Sequence, residues 1–222
     1  MTRRWTIGLL TGGAFILLTV CGPLADKQSY RFRMTVEAQT PQGLKSGSGV
    51  MEVSAWHKFR FTSEESSITG AFKGQAVMVD LPEGPIFVLL RNLRDFTLYE
   101  GATRTLAQGL AYDSRSDHVA VVGKLGSWFG GAKADMPRGY WPLMVRFRNL
   151  NDPRTVEEVD PEAIGVKRIA LTTTRDDVTT GIEKRLGWLH YGPALDPGGW
   201  RSSPPTLGSK IDPSMFSTEL RK

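Results

Sequence analysis

The sequence predicts an α+β protein: an antiparallel-rich β-sheet domain with one or two short helices, preceded by an N-terminal hydrophobic leader or anchor helix. Three observations point there. Residues 30–37 alternate strictly between apolar and polar side chains, the period of a half-buried strand. Further runs of β-branched and aromatic residues are separated by Pro- and Gly-rich turns. The long apolar run, residues 5–20, follows Arg3 and Arg4 and ends beside Cys21, the single cysteine of the chain.

A short basic leader followed by an apolar segment enters the export machinery with its basic end retained, so residues after Cys21 are expected to face outward. The run is roughly 16 residues, about 24 Å of helix at ~1.5 Å per residue, short of a comfortable ~30 Å span. Leu18-Thr19-Val20-Cys21-Gly22 has the outline of a bacterial lipoprotein cleavage site, which makes Cys21 the candidate lipidation residue. Val20 is bulkier than the small residue such a site normally carries, so an uncleaved membrane anchor stands as the alternative, with a freed secreted domain behind it. The expected division is a leader or anchor over 1–25, a single β-rich domain over 26–196 and a Pro/Gly/Ser-rich tail over 197–222, draped on the surface or disordered.

Within the domain, residues 30–37 place Tyr30, Phe32, Met34 and Val36 on one face and charges on the other. Thr40-Pro41-Gln42-Gly43 is a turn, and a second run through Val50, Glu52, Trp56, Phe59 and Phe61 completes a hairpin. Residues 75–80 and 86–90 read as strands around Leu81-Pro82-Glu83-Gly84-Pro85, the second apolar throughout and therefore central. A helix is expected over 103–108, and residues 113–142, broken by many Gly and Pro, read as loop. Residues 143–147 and 168–172 read as strands. Thr180 and Glu183 have capping-box spacing ahead of Ile182, Leu186 and Leu189, which predicts a short helix ended by Gly192. Phe32, Met34, Val36, Val88, Val145, Ile169 and Leu186 are the expected core.

Tyr30-Arg31-Phe32-Arg33-Met34-Thr35-Val36-Glu37, Thr40-Pro41-Gln42-Gly43-Leu44 and Thr179-Thr180-Gly181-Ile182-Glu183-Lys184-Arg185-Leu186 resemble stretches of a group of uncharacterised proteobacterial proteins, predicted to be secreted or lipid-modified. The resemblance extends over most of the exported domain. It implies a bacterial envelope origin and carries no activity.

The chemistry read from the residues is sparse. A formal net charge of +5 with interleaved acids fits solubility, or attraction to anionic lipid or wall polymer, and no nucleic-acid partner is expected. One cysteine excludes an intrachain disulfide framework. His57, His118 and His190 lack zinc-ligand spacing, and Glu157, Glu158, Asp160 and Glu162 do not fit a calcium loop, so no metal and no cofactor is expected. The candidate binding surface is Trp128, Phe129, Lys133, Arg138, Tyr140 and Trp141, where aromatic faces suit acyl chains or sugar rings and Lys124, Lys133 and Arg138 suit an anionic head group. The expected function is thus a membrane-attached envelope domain that binds lipid, wall polymer or a protein. The alternative is an envelope hydrolase acting on ester or glycan bonds, with His118 and Asp113 or Asp117 as its acid-base group.

Overall fold

The computed structural model describes residues 27–57, 68–91, 97–110, 117–127, 131–191 and 207–220. Cys21 and the whole leader, Phe59, Phe61, Asp113, Trp128 and Phe129 lie outside the described residues.

The alternating segment forms β1 (Gln28–Thr40), which turns at Gly43 into β2 (Gly43–His57) with pairing in register along the whole length of β1. Gly43 takes φ 105°, the left-handed conformation such a turn requires. β3 (Ile68–Lys73) pairs on the far side of β2, while β9 (Val166–Thr174) and β6 (Lys133–Asp135) extend the sheet beyond β1, giving the order β3-β2-β1-β9-β6. The second sheet has the order β4-β5-β7-β8, from β4 (Val77–Leu81), β5 (Gly84–Val88), β7 (Met144–Phe147) and β8 (Val156–Glu158). All pairs in both sheets are antiparallel. The molecule is therefore β-rich and of the α+β kind, with α1 (Leu98–Leu106) and α2 (His118–Ser127) as its two substantial helices.

Alternation in β1 drives the packing. Tyr30, Phe32, Met34, Val36 and Ala38 are buried in the main core together with Val53, Val79, Ile86, Leu106, Val122 and Leu171. The opposite face of β1 is charged and paired: Arg31 with Glu52 at 2.9 Å and Asp177 at 3.0 Å, Arg33 with Asp176 at 2.8 Å. The two sheets meet where β4 lies against β2, and a side chain on Gly47 would overlap the Met78 carbonyl.

β5 and β7 are covered on both faces, as the unbroken apolar run at 86–90 requires. Ile86, Val88 and Met144 face the main core, while Phe87, Leu89, Val145 and Phe147 face a second core closed by Leu186, Trp188, Met215 and Phe216. Every residue of the expected core list, Phe32, Met34, Val36, Val88, Val145, Ile169 and Leu186, is fully buried.

Four local readings are corrected. The first helix starts five residues earlier than expected, at Leu98, and stops at Leu106. The segment read as loop holds α2 and β6, because Gly123 and Gly126 act as close-approach positions; a Cβ on Gly126 would strike the Ser29 carbonyl oxygen, so their missing side chains let α2 sit on β1. The capped helix after Thr180 is instead two short 3-10 turns, Ile182–Lys184 and Gly187–Tyr191, since Gly181 adopts φ 105° and the Ile182 N–H is bonded by Gln75 Oε1 at 2.9 Å. Finally, residues 207–220 are neither draped nor disordered. They form α3 (Leu207–Lys210) and a 3-10 turn, and pass under the second sheet through Phe216 O to Ala76 N–H (2.7 Å) and Met215 O to Leu90 N–H (2.8 Å).

Candidate functional site

Between β6 and β7 the chain makes the 3-10 turn Arg138–Tyr140, which carries two of the expected surface residues, Arg138 and Tyr140. Trp141 follows, half-buried, with its indole N–H donating to the Met136 carbonyl at 2.9 Å and its ring packed on the main core. The Arg138 guanidinium covers the indole face at 5.1 Å and is ion-paired to Glu162. Tyr140 turns away and packs on Gly101 of α1, where the absent side chain makes room for its ring.

Arg138 and Trp141 form one wall of an open groove of about 390 Å³. Glu158, Asp160 and Glu162, all exposed, edge it, with Pro142 and Val159 at its floor. Its chemistry differs from the sequence expectation in one respect. Lys133 lies on β6, paired opposite Thr172, and Lys124 lies near the C-terminal end of α2, so neither is among the residues lining the groove that holds Arg138. The guanidinium there faces carboxylates. Of these three cations Arg138 alone lines the groove, whose carboxylates can accept from hydroxyl or cationic groups placed beside the indole.

The histidines are also arranged differently from expectation. Asp117 Oδ1 accepts the Val119 N–H at 2.9 Å and so caps α2, while its Oδ2 lies 3.3 Å from Nε2 of His57 at the end of β2. Asp117 thus reaches His57 by a direct side-chain contact and acts on the neighbouring His118 through its charge. His118 is half-buried, and burial lowers its pKa from the usual 6.5; Glu100 and Asp117 oppose that shift and Arg104 reinforces it. Recognition of α2 in the sequence, with Asp117 as its cap, would have been the signal for this pair.

Glu157 of the acidic run pairs with Arg146 at 3.2 Å and Arg148 at 2.8 Å, across β8 and β7. A second, more polar cleft, about 570 Å³, opens among Ser29, Arg31, Gly126, Gly131, Thr173 and Arg175 at the other end of β1. Its residues come from four separate stretches, and no local motif announces it. Among the described residues no helix is long and apolar enough to cross a membrane.

No known protein family, no curated protein and no solved structure matches the chain at a significant level.

Proposed function

We propose that the chain is a bacterial cell-envelope protein, attached to a membrane through its N-terminal segment, whose β-rich domain binds a ligand in the Trp141 groove without transforming it. The leader pattern ending at Cys21 and the resemblance of residues 30–37, 40–44 and 179–186 to uncharacterised proteobacterial proteins with leader sequences support the envelope assignment. The observation that carries the binding reading is the groove itself, an opening of about 390 Å³ that joins an indole and a guanidinium to three exposed carboxylates. That mixture favours a hydroxyl-rich wall polymer over acyl chains or an anionic lipid.

The test is retention of the protein on purified wall polymer. Arg138→Ala and the double substitution Glu158→Gln, Asp160→Asn alter exposed groove residues and spare the core, so folding is preserved. An aromatic or Arg anchor typically accounts for more than 1 kcal/mol, so a loss of about tenfold is expected for Arg138→Ala and for Trp141→Phe with its shortened ring. Unchanged retention in all three variants removes the groove from the function. The hydrolase reading draws on the His57–Asp117 pair; release of product from ester or glycan substrates that disappears in Asp117→Asn, which keeps the helix cap, would favour it instead.

A further inference from the structure

β1 is 13 residues long, about 40 Å of strand at ~3.3 Å per residue, and the chain enters the domain at one end of it. If the protein is held at Cys21, five residues separate the attachment point from Lys27, a reach of at most about 20 Å over the six Cα steps. Only the entry end of the domain then lies close to the bilayer. This argument rests on the attachment reading above.

The entry end has the chemistry to use that proximity. Lys27 is exposed, with its ammonium 5.6 Å from the centre of the Trp56 ring. α2 is pressed against Gln28 and Ser29 through Gly123 and Gly126, which brings exposed Lys124 to the same end. Arg175, also exposed, follows β9, whose Thr174 pairs with Arg31. Between α2 and Arg175 lies the cleft of about 570 Å³, lined by the Ser29, Thr173 and Thr174 residues and by Arg31. Among the described residues at this end, Glu52 and Asp177 are ion-paired with Arg31 and Asp117 with His57. The acidic Trp141 groove is elsewhere: its Glu162 borders the Gln39–Gln42 turn at the far end of β1.

We infer that the entry end is a membrane-docking face for anionic phospholipid head groups, with Lys27, Lys124 and Arg175 facing the lipid phosphates and Trp56 at the interface. Cations at an anionic surface attract it over about a Debye length, and tryptophan favours the head-group level of a bilayer. Docking in this pose directs the Trp141 groove away from the lipid, toward the polymer it is proposed to bind.

The experiment uses the full chain reconstituted in vesicles of phosphatidylethanolamine with or without phosphatidylglycerol. A fluorophore is placed on Ser127→Cys, at the end of α2, or on Leu44→Cys, 62% exposed at the opposite turn; the unsubstituted protein, labelled in parallel, gives the background of Cys21. Quenching by lipids that carry a nitroxide on the head group should be several-fold stronger at position 127 than at 44. It should require phosphatidylglycerol, and the docking constant should fall about fivefold for each cation removed in Lys27→Gln and Lys124→Gln. Co-flotation with equal quenching at both positions, or quenching at 127 indifferent to lipid charge and to both substitutions, overturns this inference and leaves attachment standing. Failure of the protein to float with either vesicle overturns attachment and the docking face together.

Discussion

The two cores on either side of β5 and β7 are built by different means. The main core is aliphatic and methionine-rich, and its largest contribution is the alternation of one strand, β1, against β2, β9 and the two helices. The second core is aromatic: Phe87, Phe147, Trp188 and Phe216 touch in a ring of contacts with centroids 5.6 to 6.3 Å apart, mostly edge to face. Those four rings come from four stretches running from the middle of the chain to its end. Both cores join segments far apart in sequence, β1 with β9 in the first and β5 with the C-terminal segment in the second, but the first carries in β1 a local alternation that marks its buried face, whereas the four rings of the second belong to no single element.

The largest expected effect follows from that difference. Phe216→Ala and Phe32→Ala both remove a fully buried ring and should each cost about 3 to 5 kcal/mol. Their distributions should differ. Phe216 is carried by the C-terminal segment, which is held to the sheet by few backbone bonds, so its loss should release amide protection in β4, β5 and β7 while β1 and β2 remain protected. Phe32→Ala should lower protection throughout. Hydrogen exchange read residue by residue decides the matter, and identical protection losses in the two variants would show that the cores melt as one unit.

The next effect concerns how each core is covered. α2 closes the main core by direct backbone approach at Gly126, so Gly126→Ala must displace the helix from Ser29 and should cost about 1 to 3 kcal/mol. Gly187, in the turn covering the second core, has open space where a Cβ would stand, and Gly187→Ala should change stability by less than about 0.5 kcal/mol. Urea midpoints of the two variants give the contrast directly. Equal midpoints would mean that α2 is not seated on β1 as described.

The same contrast explains what the sequence discloses. β1, β2 and the central β5 are legible because burial on one face, or on both, writes itself as alternation or as an unbroken apolar run. α2 is hidden because Gly123 and Gly126 look like breakers when read along the chain, and only the presence of β1 beneath them turns them into packing positions. The capping signature at Thr180 and Glu183 misleads for a related reason: Gly181 enters the left-handed region, and Gln75, more than a hundred residues earlier, takes the N–H that a cap would have taken. Of the candidate surface, Arg138 and Trp141 are legible separately, as a cation and as an aromatic face, but their stacking and the carboxylates of Glu158, Asp160 and Glu162 in the same groove appear only in the fold, where β7 pairs with β8.

The smallest effect is a pH response confined to the cover of the main core. His118, at the start of α2, is half-buried, and burial holds its pKa below the usual 6.5 against the carboxylates of Glu100 and Asp117, with Arg104 acting in the same direction as burial. The folded state therefore favours the neutral imidazole. In the unfolded chain the ring takes up a proton near 6.5, so the contribution of His118 to stability is present above that value and is lost as the pH falls through the lower folded pKa. Half exposure keeps this effect modest. Denaturant midpoints of the wild type should fall between about pH 7.5 and about pH 5, and His118→Gln, which cannot titrate there, should flatten part of that slope. Comparing the two proteins isolates this ring from every other group that titrates in the same range. The fraying should appear first in the α2 amides, with the C-terminal cover of the second core unaffected over the same interval. Superimposable pH profiles for the two proteins would mean that His118 is no better buried in the folded domain than in the unfolded chain, and that the packing of α2 at its first turn has been misread.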